Sequence, residues 1–153
     1  MPAKCEICGS ALNNPKFSFC DNCGKSKWLP DNLKIKDTFY RDKHLKDEVF
    51  LEIPEKTAKL FAQGKMGMNK MRAFFCMVRN AYDIFMLDRK QCFDNIKPQL
   101  YGLQRAVEDR ARREIIPESF RQFIIYYIQI ALKSKEELYG FMELFRTIIA
   151  YSK

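Results

Sequence analysis

Apolar and polar positions alternate along most of this 153-residue chain with a helical period. The clearest case is Met71, Phe74, Phe75, Val78, Tyr82, Phe85 and Met86, spaced 3, 1, 3, 4, 3, 1, which puts one apolar stripe on a long helix. Asn69 reads as its N-cap. Upstream, Pro54 fits the first turn of a helix over E-K-T-A-K-L-F-A-Q that stops at Gly64, and G-K-M-G follows as a loop. Downstream, Pro98 opens a helix with Leu100, Leu103 and Val107 inward. Pro117 opens another, E-S-F-R-Q-F-I-I-Y-Y-I-Q-I-A-L, apolar almost all round and therefore expected to be central. Ser134-Lys135-Glu136-Glu137 reads as a capping box before a last helix with Leu138, Phe141, Met142, Phe145, Ile148 and Ile149 inward. The prediction is all-α: a bundle of about five helices over residues 30–153.

Residues 1–29 break this pattern. Their apolar residues show no helical period, and they hold Cys5, Cys8, Cys20 and Cys23 as C-x2-C-x11-C-x2-C. Two C-x-x-C pairs suit a tetrahedral Zn2+ ion, and the stretch resembles the short zinc ribbons. Gly9 and Gly24 follow the second cysteine of each pair, where a left-handed residue helps the turn. With four thiolates, no coordination position is left for substrate, so the zinc is expected to be structural. A segment this short cannot bury enough core, so the metal would supply its folding free energy. Paired disulfides fit less well, since M-P-A-K-C shows no apolar signal segment and a reducing cytoplasm is expected. Trp28 is read as the lid of the ribbon, with base stacking the alternative. Cys76 and Cys92 are read as core residues. L-P-D-N-L-K-I-K-D is read as a polar linker, and F-Y-R-D-K-H-L-K-D-E-V-F as an extended lead-in with a short helical turn.

Charge adds a functional indication. The formal net charge is +8, and its helical share is concentrated. Residues 30–64 carry seven basic and seven acidic side chains, and residues 114–153 carry five of each. Residues 65–113 carry eleven basic and five acidic, a net of +6. A concentrated excess favours a polyanionic partner, chiefly nucleic acid. Arg72 and Arg79 fall together beside the apolar stripe, with Lys70 on its other border. Arg105 and Arg112 point outward together with Asp109 between them. Arg110 projects onto the apolar side, so either the helix ends before it or a partner holds it. The longest apolar run, from Phe123, is too short and polar to cross a bilayer.

M-N-K-M-R-A-F-F, I-K-P-Q-L, F-M-E-L-F-R-T-I-I-A-Y-S-K and the lead-in F-Y-R-D-K-H-L-K, in this order over residues 38–153, resemble the small subunit of the type III-A CRISPR effector, the Csm complex. The resemblance implies a non-catalytic helical bundle. It implies copies that stack head to tail beside other Csm subunits, along the guide RNA–target RNA duplex and opposite the subunits that cut target RNA. It implies a basic surface that holds RNA in antiviral defence without reading sequence. The family's first basic site falls on Arg72 and Lys70. Its second falls on Arg105, although the Gly-Arg usual after the I-K-P-Q-L stretch is absent here. The ribbon is a departure from the family.

A catalytic function is disfavoured. His44, beside Asp42 and Asp47, is the lone histidine and reads as part of a solvated turn, and no phosphate-cradling loop or nucleophile motif is present. Two other readings stand beside the resemblance. One is a zinc-ribbon nucleic-acid-binding regulator or protein adaptor. The other is a protein scaffold using Met66, Met68, Met71 and Phe74 as an interface, although methionine and phenylalanine at this spacing more often build a core.

Overall fold

In the computed structural model, which describes residues 3–152, the long helices lie where the apolar spacing put them. They are α2 (Glu52–Gln63), α3 (Met68–Leu87), α4 (Lys97–Arg112), α5 (Glu118–Ala131) and α6 (Lys135–Tyr151), after a single-turn α1 (Asp21–Gly24) in the cysteine segment. Gly64 caps α2, Pro98 lies in the first turn of α4, and Pro117 caps α5. α3 begins at Met68, one residue before Asn69, with Gly67 at the N-cap, so the expected asparagine cap is not used.

The stripe on α3 is buried at Met71, Phe74, Val78 and Phe85, but Met86 is half exposed. Cys76 and Cys92 are both exposed rather than in the core. Each sits on the outer side of its segment, where no second layer covers it. Met66, Met71 and Phe74 are core residues, as their spacing suggested.

α6, not α5, is the hub: it packs against α2, α3 and α5, while α4 bridges α3 and α5. The centre is aromatic. Phe123 lies edge-on to Phe61 at 5.3 Å and to Phe145 at 5.6 Å, geometries that aromatic quadrupoles favour. The Ser134 side chain accepts from Glu137 N–H at 3.1 Å, which is half of a capping box. The other half is diverted, because the Glu137 carboxylate accepts instead from Thr38 Oγ1 and from Phe39 N–H.

That diversion reflects a feature the sequence pattern did not reveal. The expected linker is laced into the core at Leu29, Leu33 and Ile35, and Phe39 of the lead-in is buried with them. Tyr127 of α5 donates its hydroxyl to Leu33 O at 2.6 Å and accepts from Ile35 N–H at 3.0 Å. Burial pushes this phenol up from its ordinary value. Gly140 of α6 lets Phe39 approach, since a Cβ there would stand 2.6 Å from Phe39 Cβ. The lead-in then forms a small antiparallel hairpin, β1 (Tyr40–Arg41) with β2 (His44–Leu45), turning at Asp42 with φ 57°. The pattern predicted no strand there. Two-residue strands are too short to alternate visibly. His44 is exposed on β2, in keeping with a solvated position.

Candidate functional site

The cysteine segment folds as two knuckles. In the first, Gly9 N–H donates to Cys5 O at 3.0 Å, Gly9 takes φ +78°, and Lys4 bridges to Ala11. In the second, Cys20 caps α1 and Gly24 N–H closes back on Cys20 O at 2.8 Å. Gly24 is therefore helical, and only Gly9 needs the left-handed region.

All four sulfurs lie within 4.8 Å of one another, and Cys8 and Cys20 Sγ are 3.6 Å apart. A disulfide needs about 2.05 Å, whereas a sulfur tetrahedron around an ion bonded at about 2.3 Å has edges of about 3.8 Å. The cluster therefore fits a four-coordinate metal ion, and all six cysteines are free thiols. Burial pushes the Cys23 thiol up. Burial also acts to raise Cys5, but the backbone N–H groups of Cys8, Cys20 and Ile7 outweigh it and draw that thiol down to about 6. A cation at the centre is what would make all four thiolates stable together.

The cluster is seated on the bundle. Trp28 Nε1–H donates to Cys23 Sγ at 3.2 Å while its ring packs on the common core, so it acts as the expected lid. Ser26, almost fully buried, donates to Leu60 O at 2.7 Å, bonds Ser119 Oγ, and accepts Ser119 N–H at 3.0 Å. Asn32 donates to Ile7 O at 2.7 Å. Cys5, Ile7, Cys23 and Leu29 belong to the same buried cluster as the helices.

The predicted cationic residues fall in three places. Phe75 and Tyr82 of α3 meet Phe145 and Tyr139 of α6. Arg72 and Arg79 follow about 60° further round on the solvent side of those rings, about 20° from each other. Arg72 is exposed with no ion pair among the described residues, while Arg79 reaches Asp83 at 3.8 Å. Lys70 lies on the opposite edge of α3, donating to Ile115 O at 3.0 Å. Arg105 and Arg112 share the outer side of α4. Arg112 pairs with Asp109 at 3.0 Å, and Arg105 is exposed and unpaired among the described residues. The α3 and α4 pairs therefore line two ridges rather than one.

Arg110 is explained by the partner alternative. The helix runs past it to Arg112, and its guanidinium stands 6.0 Å over the Phe74 ring, a cation–π contact. Sequence reasoning missed Arg146 of α6, which stands 5.9 Å over Phe75 beside the Arg72–Arg79 ridge and pairs with Glu143 at 2.9 Å. Its place on α6 was legible from spacing, but the packing of α6 on α3 was not.

Among the described residues no helix is long and apolar enough to cross a membrane. Neither a curated protein nor a solved structure matches the chain. A family model described as Csm2 Type III-A matches residues 44–153, which leaves the cysteine segment and the buried lead-in up to Lys43 outside it. That match spans more than two thirds of the chain, and its start on β2 and end at the α6 terminus coincide with the helical bundle, so the chain belongs to the Csm2 Type III-A family and is a small subunit of a type III-A CRISPR effector, the Csm complex.

Proposed function

We propose that this small subunit is a non-catalytic RNA-holding part that stacks, in several copies beside other Csm subunits, along the guide RNA–target RNA duplex. The observation that carries this reading is the net +6 over residues 65–113, which lies on α3, α4 and their loops with Arg72 and Arg105 exposed and, among the described residues, unpaired. A subunit that must accept any guide–target pair gains nothing from reading bases, and an A-form duplex hides its base edges in a deep groove. Phosphate contacts position without specifying. Arginine suits them through its fork of donors and lysine as a point charge. Few contacts per copy bind weakly, and stacked copies on one duplex multiply the effect.

Residues 1–29 act in this reading as a ribbon stapled by structural Zn2+, held by Cys5, Cys8, Cys20 and Cys23, and residues 30–153 as the small-subunit domain. Four sulfur donors favour zinc among the common cellular ions, since magnesium and calcium take oxygen. A closed four-thiolate site offers no position for a substrate.

The test is binding of an RNA duplex of arbitrary sequence by the full-length protein across a salt series. For Z neutralised phosphates the log–log slope is about −0.7Z to −0.9Z. A steep slope with equal affinity for unrelated sequences supports the reading. A flat slope overturns it.

A further inference from the structure

Three loops distant in sequence meet at one end of the bundle. A Cβ on Gly64 would stand 2.5 Å from Pro117 Cβ and 2.7 Å from Ser26 Cβ, so the α2–α3 loop, the α4–α5 loop and the last turn of the ribbon touch there. Each of the three carries a non-glycine residue in the left-handed region: Ser26 at φ 54°, Lys65 at 59° and Glu114 at 58°. Such residues are costly unless their surroundings hold them, and here each loop holds the next. Ser26 is fixed by Leu60 and Ser119, and Lys70 by the Ile115 carbonyl.

Cations crowd this junction. The ribbon turn brings Lys25 and Lys27, the second loop Lys65 with Lys70 just behind it, and the third Arg110, Arg112 and Arg113. The carboxylates are fewer. Among the described residues Asp109 is the one carboxylate paired with the three arginines, at 3.9, 3.0 and 3.4 Å, a single charge against three. Asp21 pairs with Lys25 at 3.2 Å in the open, and Glu114 is exposed. Glu118 and Glu108 share the single cation Arg121. Eight cations, Arg121 included, against Asp21, Glu108, Asp109, Glu114 and Glu118 leave +3 here, out of a formal excess of +8. Lys27 and Lys65 are exposed and unpaired among the described residues.

We propose that this end is a second, composite RNA-backbone contact, in which the metal-stapled ribbon supplies Lys25 and Lys27 alongside Lys65 and the Arg110–Arg113 segment. The inference rests on the RNA-holding reading above and gives the ribbon a part in it. The junction differs from the α3 and α4 ridges in being assembled only when the ribbon is docked. Phosphodiester oxygens are the fitting ligand, because the cations come from several directions and outnumber the carboxylates among them.

The test uses the full-length, metal-loaded protein and a labelled RNA duplex of arbitrary sequence. The double variant Lys25→Gln with Lys27→Gln is compared with Arg41→Gln with Lys43→Gln, which removes the same charge from the exposed hairpin outside the junction. All four side chains are exposed, so melting temperatures should match the parent. The ribbon variant is expected to flatten the salt slope by about 1.4–1.8, two phosphates at 0.7–0.9 each, and to raise Kd several-fold at about 0.1 M salt. The hairpin variant is expected to keep the parental slope. An unchanged slope in the ribbon variant, or an equal loss in the hairpin variant, overturns the inference while leaving the RNA-holding reading intact. A parent protein with no salt-dependent binding overturns both.

Discussion

The indole N–H of Trp28 donates to Cys23 Sγ at 3.2 Å, and through this bond a residue packed on the helical core touches the first coordination layer of the metal cluster. The contact sets both the ring position of Trp28 and the electron density on one sulfur, which is how outer-layer donors tune metal sites. It also means that an ion held by the four cysteines and the bundle would sense each other.

Trp28→Phe keeps an aromatic lid and removes the donor. The expected result is metal affinity reduced about tenfold or more, read by competition with a chromophoric chelator, with little loss of helical signal in the loaded protein. Unchanged affinity would reduce the bond to a packing coincidence.

Removing the metal should destabilise more than the first 29 residues. Cys5, Ile7, Cys23 and Leu29 share one buried cluster with the helices, and Ser26 bonds both Leu60 and Ser119. Chelation is therefore expected to lower the melting temperature followed by helical circular dichroism. Metal content and bound protons should move in opposite directions as pH changes, because thiolates must lose protons to bind. A bundle that melts identically with and without chelator would mean the ribbon is an independent appendage.

Gly140→Ala places a methyl group where Phe39 Cβ stands at 2.6 Å and Phe39 Cγ at 2.7 Å. Both neighbours are in the core and cannot swing aside. The expected loss is about 1–3 kcal/mol, the usual range for overpacking, measured by urea unfolding. The substitution also tests whether the lead-in is truly held under α6.

The free and paired arginines should differ. Arg72→Ala and Arg105→Ala remove exposed charges that no carboxylate holds among the described residues, so RNA retention should weaken with melting temperature almost unchanged. Arg79→Ala also frees Asp83, adding a local negative charge, so its binding loss should be larger at low salt and more salt-sensitive, whereas Arg112→Ala leaves Asp109 facing Arg110 and Arg113 and should cost no more than Arg105→Ala. Binding assays at two ionic strengths, beside thermal melts, separate these outcomes. Stability losses that match the binding losses would assign the arginines a structural role instead.

Periodicity located all five long helices because each buries one continuous stripe, and a stripe is a local property. It also identified the four cysteines, since ligand spacing is written within a knuckle. It misjudged Leu29–Asp37, where Leu29, Leu33 and Ile35 are buried in a stretch too short and irregular to show a helical period. It placed Cys76 and Cys92 inside because cysteine is apolar, yet which side of a helix is covered depends on its neighbours. It expected Glu137 to bond its own cap, but Thr38 and Phe39 offered donors 99 and 98 residues away in sequence.

Sequence alone determined the helices, the thiolate set, the surplus positive charge and the family resemblance, all carried by residues within a few turns of one another. Tertiary structure alone decided that α6 is the hub, that the metal segment shares the bundle's core, and that Lys25, Lys27, Lys65 and Arg113 gather at one end. The reason is physical: local spacing fixes which face of a segment is apolar or charged, whereas adjacency between faces follows from how the whole chain excludes water from its core.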